Sequence, residues 1–121
     1  MSSQPPLPTV DVHEADRRRT GDAALLVDVR ERNEFETVRA DGNVAFVPLS
    51  EFAARWQELP KDRPLLMLCA SGSRSAAATA HLLRNGYADV SNVAGGITEW
   101  ERAGLAVRRG AVEPGEGDLP R

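Results

Sequence analysis

Short apolar runs separated by amphipathic stretches limit what this chain can fold into. Leu25-Leu26-Val27-Asp28-Val29, Val44–Val47, Leu65–Leu68 and Val90–Val93 are apolar on both faces, and Thr9–Val12 is a weaker fifth run. Runs this short fit strands buried in a parallel sheet, although periodicity alone leaves buried helix open. Helical patterns lie between them. Glu31–Glu36 is short and charged, and Glu51–Leu59 follows Ser50 with Phe52, Trp56 and Leu59 on one face. Ser75–Asn85 sets Ala76, Ala80 and Leu83 on one stripe, with Gly86 placed to end the helix. Ile97–Ala103 repeats the pattern through Ile97, Trp100 and Leu105, with Gly104 at its stop. Strands alternating with helices across short loops predict right-handed βαβ units. The expected fold is α/β, a mostly parallel five-stranded sheet with helices on both faces.

With 121 residues, the chain has about one domain's length. Thr9–Arg108 is expected to fold as one unit, between flexible tails over residues 1–8 and 109–121 that are rich in Pro, Gly and acid. A net charge of -3 argues against partners made of nucleic acid or anionic lipid. No uncharged run approaches the roughly 18 residues of a membrane helix, and the polar N-terminus lacks the pattern of a signal peptide. One cysteine excludes an internal disulfide, and with only two histidines it does not make an ordinary structural zinc site. A small cytoplasmic domain without metal or obligatory cofactor is expected.

The most informative stretch is Leu65–Ser75, LLMLCASGSRS. Cys69 is the first residue past the carboxyl end of a strand, where open α/β sheets bind ligands. Ala70, Ser71, Gly72 and Ser73 form a small loop, and a helix starts near Ser75. Such a loop gathers backbone N–H groups at the positive end of a helix dipole, which favours a thiolate. Gly72 permits a left-handed turn, and Arg74 adds a positive charge at the rim. A lone cysteine is most often a small buried hydrophobe. Here it ends the apolar run instead of lying within it, and small polar residues follow. Both features favour a reactive thiol.

Cys69-Ala-Ser-Gly-Ser-Arg74-Ser75 resembles the Cys-x-x-Gly-x-Arg-Ser loop of single-domain rhodaneses, a sulfurtransferase family. Val27-Asp-Val-Arg30 with Glu34-Phe35 is similar to that family's Asp-Val-Arg…Glu-Phe segment. Asn92-Val-Ala-Gly-Gly-Ile97-Thr-Glu-Trp100, with Ala103-Gly-Leu105, resembles its C-terminal signature. The resemblance implies a rhodanese-like fold and a sulfurtransferase. Cys69 would take sulfur from a donor such as thiosulfate as a persulfide and pass it to cyanide, a thiol or an acceptor protein. Ala70 through Ser75 (Ala70, Ser71, Gly72, Ser73, Arg74 and Ser75) would bind the substrate. The family's Gly-His segment is replaced here by Val38-Arg-Ala-Asp-Gly-Asn43, which leaves the local turn and donor selectivity open.

Two further readings compete, a catalytically idle interaction module and a phosphatase or arsenate reductase. Idle modules often lose the cysteine, which this chain keeps. Phosphatases of the Cys-x5-Arg type need arginine six positions after the thiol, but here that position is Ser75 and the arginine comes one residue earlier. Asp28 and Arg30 share a face at the end of their strand and are expected to support the loop as an ion pair more than to catalyse. His13 and His81 are expected at the surface or in packing, Trp56 and Trp100 in the core, and Arg17-Arg18-Arg19 at a solvated helix end.

Overall fold

The computed structural model describes residues 6–21 and 23–120. The apolar runs become β1 (Thr9–Val10), β2 (Leu25–Asp28), β4 (Val44–Phe46), β5 (Leu65–Leu68) and β6 (Val90–Val93). They form a five-stranded sheet in the order β1-β6-β5-β2-β4, with every neighbouring pair parallel. Every residue of β2, β4, β5 and β6 is buried, which is why these runs do not alternate with polar residues.

Helices cover both faces. Leu26, Phe46, Leu66 and Leu68 point to one side, against α1 (Val12–Gly21), Phe35 of α2 (Arg32–Thr37), and Ile97 and Trp100 of α5 (Gly96–Arg102). Val27, Ala45, Leu65, Met67 and Cys69 point to the other, against Phe52 of α3 (Leu49–Arg55) and Ala78 and Leu82 of α4 (Ser73–Arg84). The chain runs outward from β2 to β4, then returns to β5 on the far side of β2. Segments leaving β2 and β5 therefore diverge above two adjacent carboxyl ends, the position where such sheets open a crevice.

Four local features differ from the sequence reading or settle what it left open. The buried face of α4 is Ser75, Ala78, Thr79 and Leu82, whereas Ala76, Ala80 and Leu83 are half-buried. Two hydroxyl residues on the inner face displaced the apparent stripe by a residue or more. Arg19 is not solvated: its guanidinium lies 5.0 Å from the Trp100 ring centre and donates to the carbonyls of Asp41 and Gly42. Arg17 and Arg18 do pair at the surface, with Glu14. The segment in place of the family's Gly-His carries β3 (Arg39–Ala40), antiparallel to β7 (Val107–Arg108). Gly42 and Asn43 adopt left-handed conformations there, φ 74° and 44°, and Arg19 satisfies the carbonyls this turn exposes.

The fourth difference is at the C-terminus. Residues 1–5 and 121 lie outside the described residues, but the stretch after Arg108 packs against the sheet instead of forming a tail. Phe46 N–H donates to the Gly117 carbonyl at 2.7 Å, so the edge strand β4 gains a partner at a point. Arg39, 1% exposed, reaches Glu116 at 2.8 Å and the carbonyls of Gly110 and Ala111 at 2.8 and 3.2 Å. A composition rule misses this docking because a buried guanidinium and main-chain bonds supply much of it, with Val112 and Leu119 adding apolar contact to the core.

Removing one partner of a buried ion pair leaves the other charge uncompensated. Glu116 is 13% exposed, so Glu116→Gln is expected to lower unfolding stability by about 1–3 kcal/mol in urea titration. A variant as stable as wild type would show that this pair does not hold the segment.

Candidate active site

Cys69 is the only cysteine and follows Leu68 at the end of β5. The residue is 0% exposed and belongs to the apolar cluster beneath α3 and α4. It is a buried hydrophobic contact and a cradled thiol at once. Gly72 N–H donates to Sγ at 3.1 Å, and Ser75 Oγ lies 3.2 Å from it. Burial pushes the thiol up, but the Ser75 hydroxyl and the backbone N–H groups of Ser75, Gly72 and Ser71 outweigh it and hold the pKa below the ordinary value.

The turn that aims these donors depends on glycine. Gly72 caps α4 at φ 110°, a conformation L side chains rarely adopt. The loop is clamped from behind by the start of α5. Ile97 N–H donates to the Cys69 carbonyl at 2.8 Å and Thr98 N–H to the Ala70 carbonyl at 3.2 Å. Gly96 makes that approach possible: a Cβ there would lie 2.6 Å from the Ala70 carbonyl carbon. Gly96 thus serves the cysteine loop from 26 positions beyond Ala70, a link that reading the loop alone does not reveal. Asn92 of β6 completes the floor, donating from Nδ2 to the Gly72 carbonyl at 3.1 Å, with Oδ1 2.6 Å from Ser75 Oγ.

Charged groups around the loop are paired. Arg30 grips Asp28 through Nε at 3.0 Å and through its terminal nitrogen at 2.7 Å, both side chains buried. The same guanidinium donates to the Val38 carbonyl at 2.6 Å, tying the end of β2 to the exit of α2. Burial pushes the Asp28 carboxyl up against the pull of Arg30. Arg74 meets Glu34 of α2 end-on, with contacts of 2.7 and 2.8 Å. This pairing holds Glu34 at about 2 and raises Arg74. Glu34 also accepts from the Glu31 N–H, closing the capping box of α2.

Of the residues expected to bind substrate, Gly72 and Ser75 touch the sulfur, whereas Ser71 and Ser73 are exposed and Arg74 faces Glu34. Asp28 and Arg30 brace the floor with each other, and among the described residues neither side chain hydrogen-bonds to the cysteine loop. His81 packs edge-on against Trp56 and Phe52, and its Nε2 is buried without a hydrogen-bond partner. Asn92 and Glu34 also belong to the site, although the sequence marks them only as parts of motifs. Their partners lie 17 and 40 positions away, so local spacing carries no signal of either contact. No group of three or more His, Cys, Asp or Glu that could hold a metal occurs among the described residues.

Residues 11–103 match the rhodanese-like domain family model. A sulfurtransferase of Allochromatium vinosum is 40% identical over 86 residues, covering 69% of this chain and 77% of the relative. The thiosulfate sulfurtransferase GlpE of Vibrio cholerae is 29% identical over 98 residues, 81% of this chain and 92% of that one. The crystal structure of a rhodanese-related protein from Thermoplasma volcanium superposes with a TM-score of 0.73 at 33% identity, covering 84% of this chain and 97% of that one.

A carboxylate whose folded pKa is depressed stabilises the fold above its unfolded value and loses that contribution as pH falls through the folded one. For Glu34 the window runs from 4.5 down to about 2. Glu34→Gln keeps the capping acceptor but loses the charge. Its deficit at neutral pH is expected to be only about 0.5–1 kcal/mol, because the paired side chains are 33% and 30% exposed. In urea titrations that deficit should shrink steadily once pH passes below the unfolded value. A deficit unchanged from neutral pH to about 3 would separate it from the Arg74 pairing.

Proposed function

The chain belongs to the rhodanese-like family, and on that premise we propose that it is a sulfurtransferase working through a Cys69 persulfide. The catalytic unit is residues 9–108. The observation that carries the reading is the position of the sole thiol, with Gly72 N–H and Ser75 Oγ on its sulfur. These are the groups a negatively charged sulfur needs and a buried packing cysteine lacks.

In the first step the Cys69 thiolate attacks the outer sulfur of a donor such as thiosulfate. A new S–S bond forms, the donor's own S–S bond breaks, and its electron pair leaves on sulfite. Cys69 is left as a persulfide carrying one negative charge, which the loop N–H groups and the N-terminus of α4 stabilise as an oxyanion hole stabilises oxygen. In the second step cyanide or a thiol, free or on an acceptor protein, attacks the terminal sulfur. The persulfide bond breaks and the thiolate returns. No step calls for a metal or an organic cofactor. A thiol that must stay reduced between turnovers suits the cytoplasm. The sulfurtransferase names of the relatives from Allochromatium vinosum and Vibrio cholerae agree with this chemistry.

Incubation with thiosulfate is expected to add about 32 Da to the intact protein, removable by cyanide and absent in Cys69→Ser. That variant should retain its fold and less than a few per cent of the activity, by roughly the loss expected on removing a nucleophile. An unshifted mass, or turnover of p-nitrophenyl phosphate matching that of thiosulfate, would overturn the assignment.

A further inference from the structure

The hydroxyl of Ser75 has one proton and two claimants. Its oxygen lies 2.6 Å from Asn92 Oδ1 and 3.2 Å from Cys69 Sγ. Two bare oxygens do not approach that closely, so a proton lies between Ser75 and Asn92. An amide oxygen brings none, so the proton is the serine's. The amide cannot turn round to offer its NH₂ instead. Nδ2 already donates to the Gly72 carbonyl at 3.1 Å, and a reversed amide would set oxygen against oxygen there. Asn92 therefore draws the Ser75 proton away from the sulfur, and Ser75 turns lone pairs toward Sγ.

We propose that Asn92 is a positioning residue that sets the acidity of Cys69 through the Ser75 hydroxyl. With the thiol protonated, S–H donates to Ser75 Oγ and Ser75 donates to Asn92. Ionisation sends the sulfur's proton to solvent. The Ser75 hydroxyl then rotates to donate to the thiolate, and Asn92 Oδ1 loses its donor. No other bond changes. The Ser75–Asn92 bond thus opposes ionisation against the loop donors that favour it, and the Ser75 donation reaches sulfur when negative charge develops there. Ser75 is 0% exposed and Asn92 8%, so water does not readily replace the lost donor.

The charged groups around the loop stay constant in this comparison. Arg74 of α4 pairs with Glu34 of α2, Asp28 pairs with Arg30 after β2, and Glu99 of α5 lies beside Gly95. None bonds to Ser75 or Asn92.

The inference takes Cys69 to be the sulfur-carrying residue, yet its test needs no sulfur donor. The rate of iodoacetamide alkylation is followed against pH in wild type, Asn92→Leu, Ser75→Ala and the double variant. Without the competing acceptor, Asn92→Leu should raise the thiolate-to-thiol ratio about threefold to tenfold, moving the midpoint to lower pH. In the Ser75→Ala background the same substitution should move it by less than about twofold, because the connecting hydroxyl is gone. Asn92→Ser, smaller and polar, is expected to shift the midpoint the same way and serves if the leucine variant does not fold. An unchanged or raised midpoint in the variant that folds, or an equal shift with and without Ser75, would overturn the proposal. Failure to form a persulfide in wild type would instead defeat the sulfurtransferase reading and leave this result standing.

Discussion

Taking a thiol out of water favours its neutral form, and Cys69 is fully buried at the end of β5. Whatever makes this sulfur reactive has to be supplied by groups that are themselves buried and fixed. The parallel sheet provides the position, since the loop after β5 leads directly into α4 and turns its first N–H groups back toward the strand end. Gly72 supplies the backbone conformation, and the start of α5 holds the loop down through the carbonyls of Cys69 and Ala70. Close approach of these two backbones requires Gly96, so one missing Cβ on α5 determines how rigidly donors on α4 are presented.

A second layer of order comes from ion pairs that each tie two elements. Arg30–Asp28 fastens the end of β2 to the exit of α2, Arg74–Glu34 fastens α4 to α2, and Arg39–Glu116 fastens β3 to the C-terminal segment. Two of them converge on α2, a helix of six residues that would not persist alone. Its apolar contribution is Phe35, stacked on Phe46 with ring centres 4.4 Å apart. The polar contribution is Glu34, which caps the helix and holds Arg74 with the same carboxylate. Loss of that carboxylate acts on helix, loop and charge together.

Much of this was legible in the sequence, for identifiable reasons. The buried parallel strands announce themselves as short runs without regular apolar–polar alternation, and β5 and β6 fall on the residues their runs predict, β6 with Ser91 and Asn92 at its centre. The thiol's position follows from Cys69 closing its run before a small polar loop. Illegible were the contacts that hold polar groups inside. Ser75 and Thr79 occupy the inner face of α4 because each bonds something buried, so a hydrophobic stripe reads past them. Arg19 and Arg39 look like surface charges, but carbonyls left over by tight turns and by the C-terminal segment draw them inward. Asn92 belongs to a strand and reads as a gap in its apolar pattern. Its role exists only because parallel pairing sets β6 beside β5, opposite Met67 and one strand away from the loop it supports.

The charge pattern at the loop bears on what the site discriminates. Arginine after a reactive cysteine usually suggests a grip for an oxyanion, and loop length alone argues against phosphate here. The Glu34 pairing supplies an independent argument. Both terminal nitrogens of Arg74 face the Glu34 carboxylate, so an incoming phosphate would meet a cation whose charge is already paired and a carboxylate beside it. Displacing Glu34 from Arg74 would leave that carboxylate repelling the same anion. Attraction at the thiol therefore rests on dipoles, the N–H groups of the loop and the Ser75 hydroxyl, which act over hydrogen-bond range and fall off quickly beyond it. Dipoles of short reach stabilise charge that develops on the sulfur itself better than charge spread over a distant group. On the sulfurtransferase reading proposed above, these short-range donors would serve a reaction whose negative charge begins and ends on sulfur at Cys69.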